Sequence, residues 1–218
     1  MLATLRIACQ RVILIAALCC TSMTTVLAAE FTEIKERAES LPGFMPLLWD
    51  AKEGRLYANI ASVSGPFIYY TALSQGVGSN DLGLDRGRLS DTQLVQFRRV
   101  GPRVLLEAVN TRYVANSPSA SERAAVREAF ASSVLWGFEL VSEDDDGVFI
   151  DLTPLALSDA TDLTVLLSSR GEGDYKIDET RSVIHRERTK GFPDNTEIDA
   201  LLTYTGRAKG DILATVAP

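Results

Sequence analysis

Few residues in this chain are placed to do chemistry, and each points to a specific test. The single imidazole, His185, lies in Ile184-His185-Arg186-Glu187-Arg188 and could act as a base for a serine or threonine nucleophile. A triad also needs a carboxylate to orient the ring and an oxyanion hole, and the sequence has no nucleophile-elbow pattern. The three cysteines, Cys9, Cys19 and Cys20, all fall within the first twenty residues. If that stretch is removed, one histidine and no thiol remain, and a zinc site built from His and Cys ligands cannot form within one chain.

The segment from Gln75 to Asp91 is the most unusual, with four glycines at 76, 78, 83 and 87. Glycine is required where backbone takes positive φ or approaches a ligand, so this is an ordered multi-turn loop or a binding loop. Asn80, Asp81, Asp85 and Arg86 are its candidate ligand contacts. An internal bridge from an aspartate to Arg86 is the plainer assignment. The glycine spacing matches neither the dinucleotide fingerprint nor a phosphate loop ending in Gly-Lys-Ser/Thr. The acidic run Glu143-Asp144-Asp145-Asp146-Gly147 resembles the start of a calcium loop. Counted from Ser142, however, its twelfth position is Thr153, where a bidentate Glu is needed. Asp146-Gly147 is read instead as a hairpin turn.

The N-terminus combines Arg6 and Arg11 with the apolar run Val12 to Cys20 and the small residues of Val26-Leu27-Ala28. This is the order of a secretory signal, with cleavage expected after Ala28 and a periplasmic or secreted product. The apolar run is too short for the ~20 residues that span a bilayer, so no stable membrane span is expected after cleavage. Losing Arg6 and Arg11 leaves 20 of the 22 basic residues against all 29 acidic ones, a net charge of −9. A surface of that sign repels phosphate backbones, which argues against nucleic-acid partners.

The elements that must position these residues are mostly strands. Thr32 is read as the cap of a first helix running to Leu41, stopped by Pro42-Gly43. Leu47 to Ile60 is read as a hairpin turning at Asp50 to Gly54, and Pro66 to Leu73 as a strand. Gln93 to Arg99 and Arg103 to Val109 flank Val100-Gly101-Pro102 as a second hairpin, which Thr111 to Ala115 extends. Ser119 with Glu122 has capping-box spacing, so a second helix follows, expected to bury Val126, Ala129 and Phe130. Val134 to Val141, Val148 to Leu152 and Leu163 to Leu167 are read as strands, Ser182 to Arg188 as a strand or extended linker, and Glu197 to Thr205 as an alternating strand. The expectation is one α+β domain over residues 29–218, a mostly antiparallel β-sheet with two short helices.

Several segments in order resemble one family: the N-terminal uncharacterised domain of large exported bacterial zinc-dependent metallopeptidases. They are Gly43-Phe44 to Trp49-Asp50, the string Gly76 to Gly87, Ser132 to Phe138, Arg181-Ser182, Phe192 to Glu197, and Leu201 to Tyr204. In that family a separate downstream domain carries the HExxH helix, whose histidines hold zinc. The resemblance therefore implies no catalytic residue, no metal ligand and no cofactor in this chain, with zinc expected only in the catalytic domain. That catalytic domain is the expected partner, and the chain reads as truncated before it. The rival reading is a stand-alone exported module that binds peptide or glycan through the Gly76 to Gly87 loop.

Overall fold

The computed structural model describes residues 31–216, so the export signal expected over 1–28 lies outside the described residues. Eight strands form one antiparallel sheet: β1 (Glu39–Leu41), β2 (Leu47–Asp50), β3 (Arg55–Asn59), β4 (Phe67–Tyr69), β5 (Gln93–Val100), β6 (Arg103–Ala108), β7 (Ser133–Asp144) and β8 (Gly147–Asp151). Their spatial order is β1-β2-β3-β8-β7-β6-β5-β4, so two meanders meet where β3 pairs with β8 and β4 becomes a sheet edge. The expected hairpin at Asp146-Gly147 joins β7 to β8. Asn59 fastens it, its amide donating to Asp146 O at 2.8 Å and its carbonyl accepting from Val148 N.

One face of the sheet buries Leu47, Leu56, Val95, Val104, Leu106, Phe138 and Ile150. On the other face, helix α1, described over 31–37, packs Phe31 on Tyr57 and Phe149 with ring centroids 5.3 and 5.1 Å apart. The first helix ends earlier than Leu41, because Glu39 to Leu41 pair with β2. Arg37 in its last turn donates to buried Asp50 from Nε at 3.1 Å and Nη2 at 2.6 Å. These bonds are the main reason the Asp50 carboxyl titrates below the ordinary carboxylate range.

The mostly antiparallel sheet agrees with the sequence reading, but among the described residues five helices stand where two were expected. Helix α2 (Ala120–Ala129) has the Ser119 cap, its hydroxyl accepting from Glu122 N, yet buries none of its residues. Phe130 is 41% exposed and stacks on Tyr113 at 4.0 Å. The short α3 (Thr153–Ala156) follows β8 directly. Helix α4 (Leu163–Ser169) replaces the strand expected at Leu163 to Leu167. A strand would place residues 163, 165 and 167 on one face, whereas Leu163 and Leu167 are buried and Val165 is 64% exposed, the i, i+4 pattern of a helix. Asp159 supplies the start, accepting from the backbone N–H groups of Leu163 and Thr164.

Beyond α4 the chain forms β9 (Tyr175–Ile177), β10 (Val183–Ile184), β11 (Lys190–Gly191), β12 (Thr196–Glu197), β13 (Ala200–Leu201), β14 (Tyr204–Gly206) and α5 (Asp211–Val216). The strand expected over Glu197 to Thr205 is thus three short pieces, pairing in turn with β11, β10 and β9. Thr111 to Ala115 is irregular rather than a strand. A second core gathers Leu82 and Leu84 with Leu163, Leu167 and Leu213.

Candidate functional site

The glycine-rich loop folds upon itself. Ser79 Oγ accepts from Asp81 N, a single 3-10 turn spans Asn80–Leu82, and Gly83 at φ 62° ends it in the left-handed region that favours glycine. Gly83 N donates to Asn80 O at 2.9 Å, and Val77 N donates to Leu84 O at 3.2 Å. A Cβ on Gly76 would lie 3.1 Å from Leu84 O, so the loop closes tightly there. Leu82 and Leu84 are 1% and 0% exposed, which turns the loop's apolar side chains into the second core. Asn80, Asp81, Asp85 and Arg86 are all exposed. Neither Asp81 nor Asp85 pairs with Arg86, so the internal bridge is corrected. Arg170 makes the tie instead, its Nη1 donating to Asp81 O at 2.8 Å.

A cleft of about 440 Å³ lies elsewhere, between three segments that the sequence reading did not bring together. Its first wall is the end of β4 with its continuation, Tyr69 to Ala72; the second runs from Leu152 through α3 to Thr161; the third is Glu197 to Leu202 with Arg188. None of the four loop candidates lines it. Volume and mixed lining place it in the class of ligand-sized sites of roughly 300–1,000 Å³.

Local bonds hold each wall. Thr71 Oγ1 donates to Ala160 O at 3.0 Å, linking the first wall to the second. Arg188 Nε lies 3.0 Å from Asp199 Oδ2, and Asp199 N donates to the fully buried Thr189 Oγ1 at 3.2 Å. Just behind the cleft, Tyr204 donates to Asp159 Oδ1 at 2.8 Å. Burial first, then this bond, pushes the Tyr204 phenol above its ordinary titration range. Burial likewise raises that of Tyr69.

Thr71 is committed to Ala160 O and Ser158 Oγ to Leu155 O, at 2.7 Å for the latter, so neither hydroxyl is poised against a base. His185 lies off the cleft, and its imidazole has no hydrogen-bond partner among the described residues. Among those residues no group of three or more His, Cys, Asp or Glu side chains is placed to hold a metal ion, and no helix is long and apolar enough to cross a membrane. Tyr69, Tyr70, Arg188 and Asp199 are the functional candidates that sequence reasoning missed. The adjacent tyrosines ahead of a threonine were the one available signal.

A family model described as a domain of unknown function (DUF5117) matches residues 87–217, and the chain belongs to that family. The match takes in two walls of the cleft and the second core's helices, and it begins at the last glycine of the loop. No curated protein and no solved structure matches the chain.

Proposed function

We propose that this chain is a noncatalytic domain of the exported zinc-dependent metallopeptidases that its sequence resembles. It works in the periplasm or outside the cell, supporting the catalytic domain, guiding substrate to it or regulating it. Zinc and the water it activates belong to that other domain.

The observation that carries this reading is the fate of the most distinctive string in the resemblance, Gly76 to Gly87. Its leucines enter the second core, its glycine at 83 makes a turn, and its polar side chains converge on nothing. The resembling segment Gly43 to Asp50 behaves alike: Asp50 is buried against Arg37, and Gly43 packs against Gly191 with no room for a Cβ. Residues committed to packing support a scaffold role. The test is affinity capture of the tagged chain from the exported fraction of its own cells. A zinc-dependent peptidase is the expected retained protein, and a capture devoid of any peptidase overturns the association.

A further inference from the structure

We infer that the cleft binds an extended polypeptide segment carrying basic side chains, which adds to the sheet as a strand beside β4. The inference goes beyond the metallopeptidase association and stands without it.

The backbone pattern of the edge carries the argument. In an antiparallel pair, opposed residues alternate between those that exchange hydrogen bonds and those whose groups point away. Leu94 O accepts from Val109 N at 2.7 Å, so Leu94 turns toward β6 and away from its β4 partner Ile68. Further along, Ser90 N donates to Thr71 O and Leu73 N to Arg88 O, the two bonds that flank the Ala72–Leu89 bridge. Odd positions therefore bond inward, and the N–H and C=O groups of Ile68, Tyr70 and Ala72 face the open side. Among the described residues the backbone groups of Tyr70 and Ala72 have no partner. Both residues line the cleft, and Tyr70 is 53% exposed.

A row of unpaired donors and acceptors at a sheet edge matches the backbone of another extended chain, and grooves beside it take alternate side chains. Leu155 and Leu202 offer apolar surface for those on one side. Charge selects the rest. On the facing wall Asp199 is neutralised by Arg188, whereas the Glu197 side chain, among the described residues, is in no ion pair and accepts only from Asn195 Nδ2 at 3.2 Å. The chain as a whole is at −7, which favours a basic occupant over an acidic one or a second copy.

The test is an amide-resolved NMR titration of the purified chain with a short disordered peptide alternating valine and lysine. The same peptide N-methylated on alternate backbone nitrogens and a valine–glutamate peptide are the comparisons. Saturable shifts at the amides of Ile68, Tyr70 and Ala72 are expected with the lysine peptide. Affinity should fall about tenfold or more for the N-methylated or glutamate peptide. Ala72→Pro removes one outward N–H while leaving the inward ladder, and should weaken binding similarly; Glu197→Gln should weaken the lysine peptide several-fold. If Ala72→Pro does not fold, the N-methylated peptide decides the same point. No binding, or equal binding of the N-methylated peptide, overturns the inference. So does concentration-dependent dimerisation through the same amides, which would make a second copy the occupant.

Discussion

The Tyr204 hydroxyl donates to Asp159 Oδ1 at 2.8 Å, and this bond clamps two walls of the cleft together. Asp159 lies between Ser158 and Ala160 of the second wall, while Tyr204 follows two residues after Leu202 of the third. The same carboxylate accepts from Leu163 N, Thr164 N and Thr164 Oγ1, so it starts α4 and closes the cleft at once.

Tyr204→Phe should cost about 1 kcal/mol of stability, one neutral donor lost to a carboxylate with other partners. Asp159→Ala should cost about 2–4 kcal/mol, since several donors lose their acceptor together. Urea unfolding midpoints measure both. Because the folded-state Tyr204 phenol titrates above its unfolded value, stability should also decline as pH rises above about 10, and the Phe variant should lose less.

Asp50 is 1% exposed and held by Arg37. Its folded titration lies below the unfolded one, so the pair contributes fully above about pH 4 and is lost as pH falls through the folded value. Arg37→Ala should lower the unfolding midpoint at neutral pH and lower it less in acid, where the carboxyl becomes neutral. Thermal unfolding between neutral and acid pH reads this out.

The loop separates two accounts of its charges. Leu84→Ala should cost about 2–5 kcal/mol, as a fully buried leucine does. Arg86→Ala, at an exposed side chain without a partner among the described residues, should stay within about 0.5 kcal/mol. A large loss on Arg86→Ala would mean that its charge holds the loop, contrary to the structure.

Glu172 is 5% exposed, and its Oε2 accepts from Leu213 N at 2.9 Å in the first turn of α5. Glu172→Ala should remove this cap and leave the N–H without an acceptor, costing about 1–2 kcal/mol. Hydrogen exchange at the Leu213 amide should accelerate with it.

The sheet was legible wherever apolar alternation or turn chemistry was local: the β2–β3 turn, the β5–β6 hairpin and the Asp146-Gly147 turn. Leu163 to Leu167 was not, because a five-residue apolar run fits a strand or a helix equally. What decided it was Asp159 upstream, which accepts from the Leu163 and Thr164 amides although it stands three residues ahead of the N-cap position Asp162, where a cap is ordinarily read. Helix α2 shows the opposite failure: the Ser119 cap was readable, but an apolar side at Val126, Ala129 and Phe130 does not reveal whether anything covers it. The cleft was illegible for a topological reason. Its walls near residues 70, 156 and 199 meet only when β4 reaches the sheet edge and the C-terminal segment lies across α3.

The central claim, a noncatalytic domain serving a peptidase, is tested most directly by measuring peptide hydrolysis with zinc present. The purified chain, an exported HExxH catalytic domain from the same cell, and the two together are compared. The account predicts no hydrolysis by the chain alone and a change in kcat/KM or in thermal stability of the catalytic domain when the chain is added. Hydrolysis by the chain alone, abolished in His185→Ala, would contradict it, as would a catalytic domain indifferent to the chain in both readouts.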